Sequence, residues 1–130
     1  MDIEVIFRGG KRVDAKIGGF TVQTDQPVED GGEGTAPTPA KLFLASLAAC
    51  AGVHLVYSFE HRGLSTETVR MLMHVEYDAD KMIKRITTEV QLPPDFPEKH
   101  KAALVRAIDA CYVKKNILHP PEFVTTLTVK

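Results

Sequence analysis

The chain has two cysteines in 130 residues, no run of five like charges, and neither a Cys-x-x-Cys nor a His-x-x-x-His pair. Each absence narrows the function. Without a basic block, and at a formal net charge of −1, nothing advertises a phosphate backbone or an anionic bilayer as partner. Neither nucleic acid nor membrane is expected. Met1-Asp2-Ile3-Glu4-Val5 lacks a basic region followed by an apolar run, so no signal peptide is expected and the reading is cytoplasmic. There a stable structural disulfide is unusual, whereas a transient catalytic one is not. Gly31-Gly32-Glu33-Gly34 does not sit between a strand and a helix, as a phosphate-binding loop requires, and no Gly-x-Ser-x-Gly occurs.

What remains is an ordinary globular composition, 44% hydrophobic and 25% charged, at a length that suits one domain over residues 1–130. Residues 3–8, 11–17 and 20–24 read as a three-stranded meander, because Gly9-Gly10 and Gly18-Gly19 supply the positive φ angles of tight hairpins. Residues 25–38 carry Pro27, Gly31, Gly32, Gly34 and Pro37 among acidic side chains and predict a mobile acidic loop. Thr38 as N-cap and Pro39 in the first turn start a long helix that stays apolar through Phe59, and Gly63 stops it. The stretch 42–59 approaches transmembrane length. Ser46, Gly52, His54 and Ser58 interrupt it, so a wholly buried core helix explains it better.

Alternation of apolar and polar residues predicts strands over 69–77 and 82–92. Asp95 and Glu98 suggest a capping box for a second helix, whose inward stripe is Leu104, Ile108 and Cys111. Pro120-Pro121 then leads into a last strand, 123–129. The order βββ-α-ββ-α-β defines an α+β domain without repeats. A helix apolar on nearly all sides needs more cover than six short strands supply. A dimer with two such helices between two sheets would provide it.

Four-residue spacing aligns Ser46, Cys50, His54 and Ser58 as a slowly winding polar seam on the long helix. Ser46 and Ser58 back-bonded to carbonyls and a satisfied core histidine would account for it without chemistry. Cys50, too, can be inert packing, since free cysteine behaves as a small buried hydrophobe. Its own helix start is about three turns away, so reactivity demands a cation from elsewhere, and Arg12 and Arg8 on the first hairpin are the candidates. Zinc held by Cys50, His54, Cys111 and His119 is a further alternative.

Ala36-Pro37-Thr38-Pro39-Ala40-Lys41-Leu42-Phe43-Leu44-Ala45-Ser46-Leu47-Ala48-Ala49-Cys50 resembles the OsmC/Ohr family, the osmotically induced and organic-hydroperoxide-resistance proteins. Their hallmark is a proline-started helix leading to a cysteine. Cys111-Tyr112-Val113-Lys114-Lys115-Asn116-Ile117-Leu118 is similar to their second hallmark, a cysteine followed by a short hydrophobic turn. The resemblance implies an intertwined homodimer, with central helices between two antiparallel sheets and sites at the interface. It implies thiol-dependent reduction of organic hydroperoxides with no bound cofactor or metal. Cys50 would become a sulfenic acid, Cys111 would resolve it as a disulfide, and an external dithiol would reduce that. Arg12, or its neighbour Arg8, would activate Cys50. In the best-characterised peroxidases of the family a glutamate soon after the helix-starting proline orients that arginine. Ala40 and Lys41 stand there instead, with Glu33 or Lys41 as substitutes. Two functions follow: a peroxidase acting on small hydrophobic peroxides, or a small-molecule-binding protein of the same fold with little turnover.

Overall fold

The computed structural model describes residues 1–129, which form two compact units, Met1–Ala45 and the chain from Ser46 onward. In the first unit β1 (Ile3–Gly9), β2 (Arg12–Ile17) and β3 (Phe20–Thr24) make one antiparallel sheet in the order β1-β2-β3. The meander is as expected, with Gly9, Gly10 and Gly18 at positive φ around its two turns. Directly opposed residues share a face, and the register opposes Ile3 to Ile17, Val5 to Ala15 and Phe7 to Val13. β3 adds Phe20 and Val22 to that face. Phe7 and Phe20 on it are about four-fifths exposed in the single chain.

Residues 25–38 form a loop with a 3₁₀ turn at Val28–Asp30 and its own hydrogen-bond network. Asp25 is fully buried and gathers the segment around its carboxylate. The Gln26 N–H donates to Oδ1 at 2.7 Å, while the Thr35 hydroxyl (2.7 Å), the Thr35 N–H (3.1 Å) and the Glu33 N–H (3.3 Å) donate to Oδ2. The Thr35 hydroxyl bond is the main cause, with those amides, that holds the Asp25 carboxyl down at about 2 against the opposing effect of burial. Gly32 seals the loop: a Cβ there would lie 1.9 Å from the Gln26 carbonyl oxygen.

The long helix, α1 (Pro39–His61), starts and stops as its sequence dictates. Thr38 Oγ1 accepts the Lys41 N–H at 3.2 Å. Beyond its end Leu64 N–H donates to the Phe59 carbonyl and Gly63 N–H to the Glu60 carbonyl, a Schellman arrangement with Gly63 at φ +65°. The helix is not wholly buried within one chain. Leu47, Ala51, Leu55, Ser58 and Phe59 are covered, but Phe43, Val53, Val56 and Tyr57 are exposed. By length and composition alone it could cross a bilayer.

In the second unit β4 (Arg70–Tyr77) and β5 (Ile83–Gln91) pair antiparallel. Met71 opposes Val90 and Val75 opposes Ile86, the alternation expected of a half-buried hairpin. α2 (Lys101–Asp109) and α3 (Tyr112–Leu118) follow. Ala51, Leu55, Phe59, Phe96, Leu104 and Ile108 form the core, with Met71, Val90 and Leu92 packed against it. Phe59 and Phe96 stack with ring centroids 5.5 Å apart.

Two expected details of this half differ. The capping box does not form: a 3₁₀ turn, Glu98–His100, precedes α2, and Glu98 pairs with Lys101 at 2.7 Å instead. Pro97 ahead of that turn displaces the helix start, so Asp95 lies too far upstream to cap it. The last strand, 123–129, is also absent, and a third helix precedes it. Alternating residues cannot make a strand without an edge whose N–H and C=O groups they can satisfy, and Phe123 and Leu127 lie about nine-tenths exposed. Among the described residues the chain is α+β, with two antiparallel sheets and three α-helices.

Candidate active site

Cys50 lies inside α1 and Cys111 at the corner between α2 and α3, about 60 residues later. The core brings them together. Leu104 and Ile108 dock α2 against the Ala51–Leu55 stripe of α1, and Cys111 continues the buried side of α2. The two thiols lie close enough for each to shift the other's acidity. Cys50 is half-buried and Cys111 is 1% exposed.

Their acidities diverge. The Val113 amide N–H, the Cys111 thiol and the Tyr112 amide N–H all favour a Cys50 thiolate, and together they outweigh burial, so its pKa lies below that of an ordinary thiol. Cys111 moves the other way, chiefly through burial and then because it donates to Cys50. One thiol thus favours its ionised form and the other its protonated form. Sequence reasoning looked for a cation and missed the amides of Tyr112 and Val113. Every residue carries an N–H, so no residue type announces this donor. The α3 turn that aims it exists only in the fold.

The rest of the seam makes contacts of its own. Ser58 does not bond back to a carbonyl; its Oγ accepts Arg62 Nη1 at 2.8 Å, and the same nitrogen donates to the Ser58 carbonyl at 3.1 Å. Ser46 is exposed, and His54 sets its ring edge-on to Tyr57 at 6.0 Å. Among the described residues no three His, Cys, Asp or Glu side chains come together, so Cys50, His54, Cys111 and His119 are not gathered into one cluster.

The arginines belong to the first unit. Arg8 Nε donates to the buried carboxylate of Asp14 at 2.8 Å. Arg12 is exposed, reaches the Arg8 carbonyl at 3.3 Å, and pairs with no carboxylate among the described residues. Both line a polar cleft of 240 Å³ with Asp14, Gln23, Thr24 and Thr35. Glu33 and Lys41, the possible stand-ins for the family glutamate, are exposed.

In the second unit an apolar cavity of 460 Å³ opens between the β4–β5 hairpin and α2–α3. Leu47, Ala51, Val105, Ile108 and Ile117 form much of its wall, and Cys111 reaches it. Cys50 is not among its lining residues.

No curated protein matches this chain. Solved structures do match it in fold. A Psychrobacter arcticus protein, provisionally assigned to osmotic stress induction and detoxification response, is 21% identical over 91% of this chain and 88% of its own, with a TM-score of 0.74. An organic hydroperoxide resistance protein OsmC from Legionella pneumophila is 23% identical, covering 90% of this chain and 89% of its own, at a TM-score of 0.54. The organic hydroperoxide resistance protein OhrB of Bacillus subtilis is also 23% identical, over 89% and 90% of the two chains, at 0.53. The sequence profile described as OsmC-like protein matches residues 32–126, which hold both cysteines and the helix that carries the first. The chain belongs to the OsmC-like protein family.

Proposed function

We propose that this protein is a thiol peroxidase that reduces organic hydroperoxides through Cys50 and Cys111. The observation that carries this reading is the pair itself: a thiol whose acidity is raised, beside a second thiol whose acidity is lowered. The Cys50 thiolate attacks the terminal oxygen of the hydroperoxide. The O–O bond breaks, the alkoxide leaves and takes a proton as the alcohol, and Cys50 becomes a sulfenic acid. Cys111 loses its proton and attacks the Cys50 sulfur, which releases water and closes a disulfide. An external dithiol then restores both thiols. No bound cofactor enters the cycle.

Arg12 supplies the guanidinium in this proposal, because Arg8 is already engaged by Asp14. The missing glutamate is offset in part by the amides of Val113 and Tyr112, which favour the thiolate without a carboxylate-oriented cation. A homodimer belongs to the same proposal. The exposed apolar side of α1, the apolar face of the first sheet and residues 123–129 all need cover that one chain does not provide. Strand edges of a second copy would satisfy the last of these. A cytoplasmic setting suits a disulfide that must be reduced in every cycle.

Turnover of cumene hydroperoxide with dithiothreitol tests the reading. Cys50→Ser abolishes it, and Cys111→Ser stops after one cycle with a sulfenic acid that dimedone captures. Equal activity in wild type and Cys50→Ser leaves only the second reading, a protein whose 460 Å³ cavity holds a small hydrophobic molecule.

A further inference from the structure

We infer that the 460 Å³ cavity of the second unit binds an amphiphilic anion, its apolar tail against Ile86, Ile108 and Ile117 and its anionic head at Lys84. This deepens the small-molecule reading given second above. It stands whether or not Cys50 turns over peroxide, because Cys50 does not line the cavity.

The lining is graded from core to surface. Leu47, Ala51 and Ile108 are buried and make the floor. Val105, Ile117 and Leu118 border the same space and are 58%, 43% and 66% exposed. Apolar side chains left open beside a buried floor favour a guest that takes them out of water. Small-molecule sites have this size and this composition, an apolar wall with a few placed polar groups.

The placed group here is Lys84. Tyr77 opposes Ile83 and Glu76 opposes Arg85, so Lys84 is the extra residue of a bulge in β5 and has no counterpart on β4. A bulge re-aims the side chains it carries, and Lys84 lines the cavity. Its ammonium pairs with no carboxylate among the described residues. The neighbouring cations are matched: Lys114 is held by Asp109 at 2.8 Å, and Arg85 reaches Glu76 at 3.8 Å. One unmatched cation beside an apolar floor selects a ligand with both a negative head and a tail. An inorganic anion would leave the floor uncovered, and a neutral apolar molecule would leave Lys84 without a counter-charge. A second copy docked through this same surface about a two-fold axis would bring two patches of one sign together.

The test titrates isotope-labelled protein with decanoate, decanol and decyltrimethylammonium, which share one tail, and reads both site and affinity from the amide shifts. Decanoate is expected to bind more tightly than the other two, and to move the amides of Ile86, Ile108 and Ile117 while those of β1, β2 and β3 stay in place. Lys84 is exposed, so Lys84→Gln leaves the core intact. That variant is expected to weaken decanoate about threefold, the worth of one exposed ion pair, and to leave decanol unchanged. Equal affinity for the three heads, wild-type affinity for decanoate in Lys84→Gln, or shifts that map away from the cavity each overturn the inference. So does an absence of binding, the result expected if a second copy already covers this surface. Cys50→Ser is expected to bind decanoate as wild type does. Binding by a protein that turns over no hydroperoxide removes only the peroxidase reading, and turnover without binding removes only this inference.

Discussion

Closing the Cys50–Cys111 disulfide should stabilise the protein strongly. The bond would tie a loop of about 60 residues. In the chain-entropy picture a loop of that length removes about 4 kcal/mol of freedom from the unfolded chain. Strain in the native state normally subtracts from such a figure. Here the two thiols are near enough to shift each other's acidity, so the movement of α1 or of the α2–α3 corner that joins them is local. With about 2 cal/mol/K of unfolding entropy per residue, a chain of this length gains roughly 15 °C in Tm. The assay is urea and thermal unfolding of diamide-oxidised and dithiothreitol-reduced protein at one protein concentration, because any association shifts the midpoint by mass action. Cys50→Ser and Cys111→Ser should show no difference between the two treatments. An oxidised wild type no more stable than the reduced form would refute the reasoning. It would mean that bonding distorts the corner at Cys111, and that the resting proximity is not the geometry of resolution.

Other outcomes follow from the same structure. Cys50 should be alkylated by iodoacetamide at lower pH than Cys111, and Val113→Pro, which deletes the main N–H donor, should shift the Cys50 profile upward in pH. Leu104→Ala removes a core side chain that is 3% exposed and should cost about 2–5 kcal/mol in urea unfolding. Asp25 has a folded pKa of about 2 against 3.8 unfolded. Its contribution to stability is therefore complete above the unfolded value and lost as pH falls from about 4 toward 2. Asp25→Asn should flatten the acid-unfolding curve in that window, and an unchanged curve would contradict the assigned hydrogen bonds.

Local rules made much of the fold legible. Gly-Gly pairs fix two hairpins because a positive φ is a property of one residue. Thr38-Pro39 and Gly63 bound α1 because a cap acts within a single turn. Alternation over 69–77 and 82–92 marks β4 and β5 because the side-chain period is local too. Where an element depends on a distant partner, those rules fail. Residues 123–129 alternate like a strand, yet one chain offers them no edge. Asp95 and Glu98 have the spacing of a capping box, yet Pro97 moves the helix start beyond them. Asp25 looked like one more acid in an acidic loop, and only burial shows that it organises that loop.

The candidate site divides in the same way. The sequence alone marked its candidates: one thiol inside an apolar helix, a second at the end of an amphipathic one, and the family that the first motif belongs to. Tertiary structure decided that the thiols become neighbours, that backbone amides acidify one of them, and that burial holds the other protonated. Proximity across 60 residues is set by how whole helices pack, and an amide donor is present at every position, so neither leaves a mark in the order of the residues.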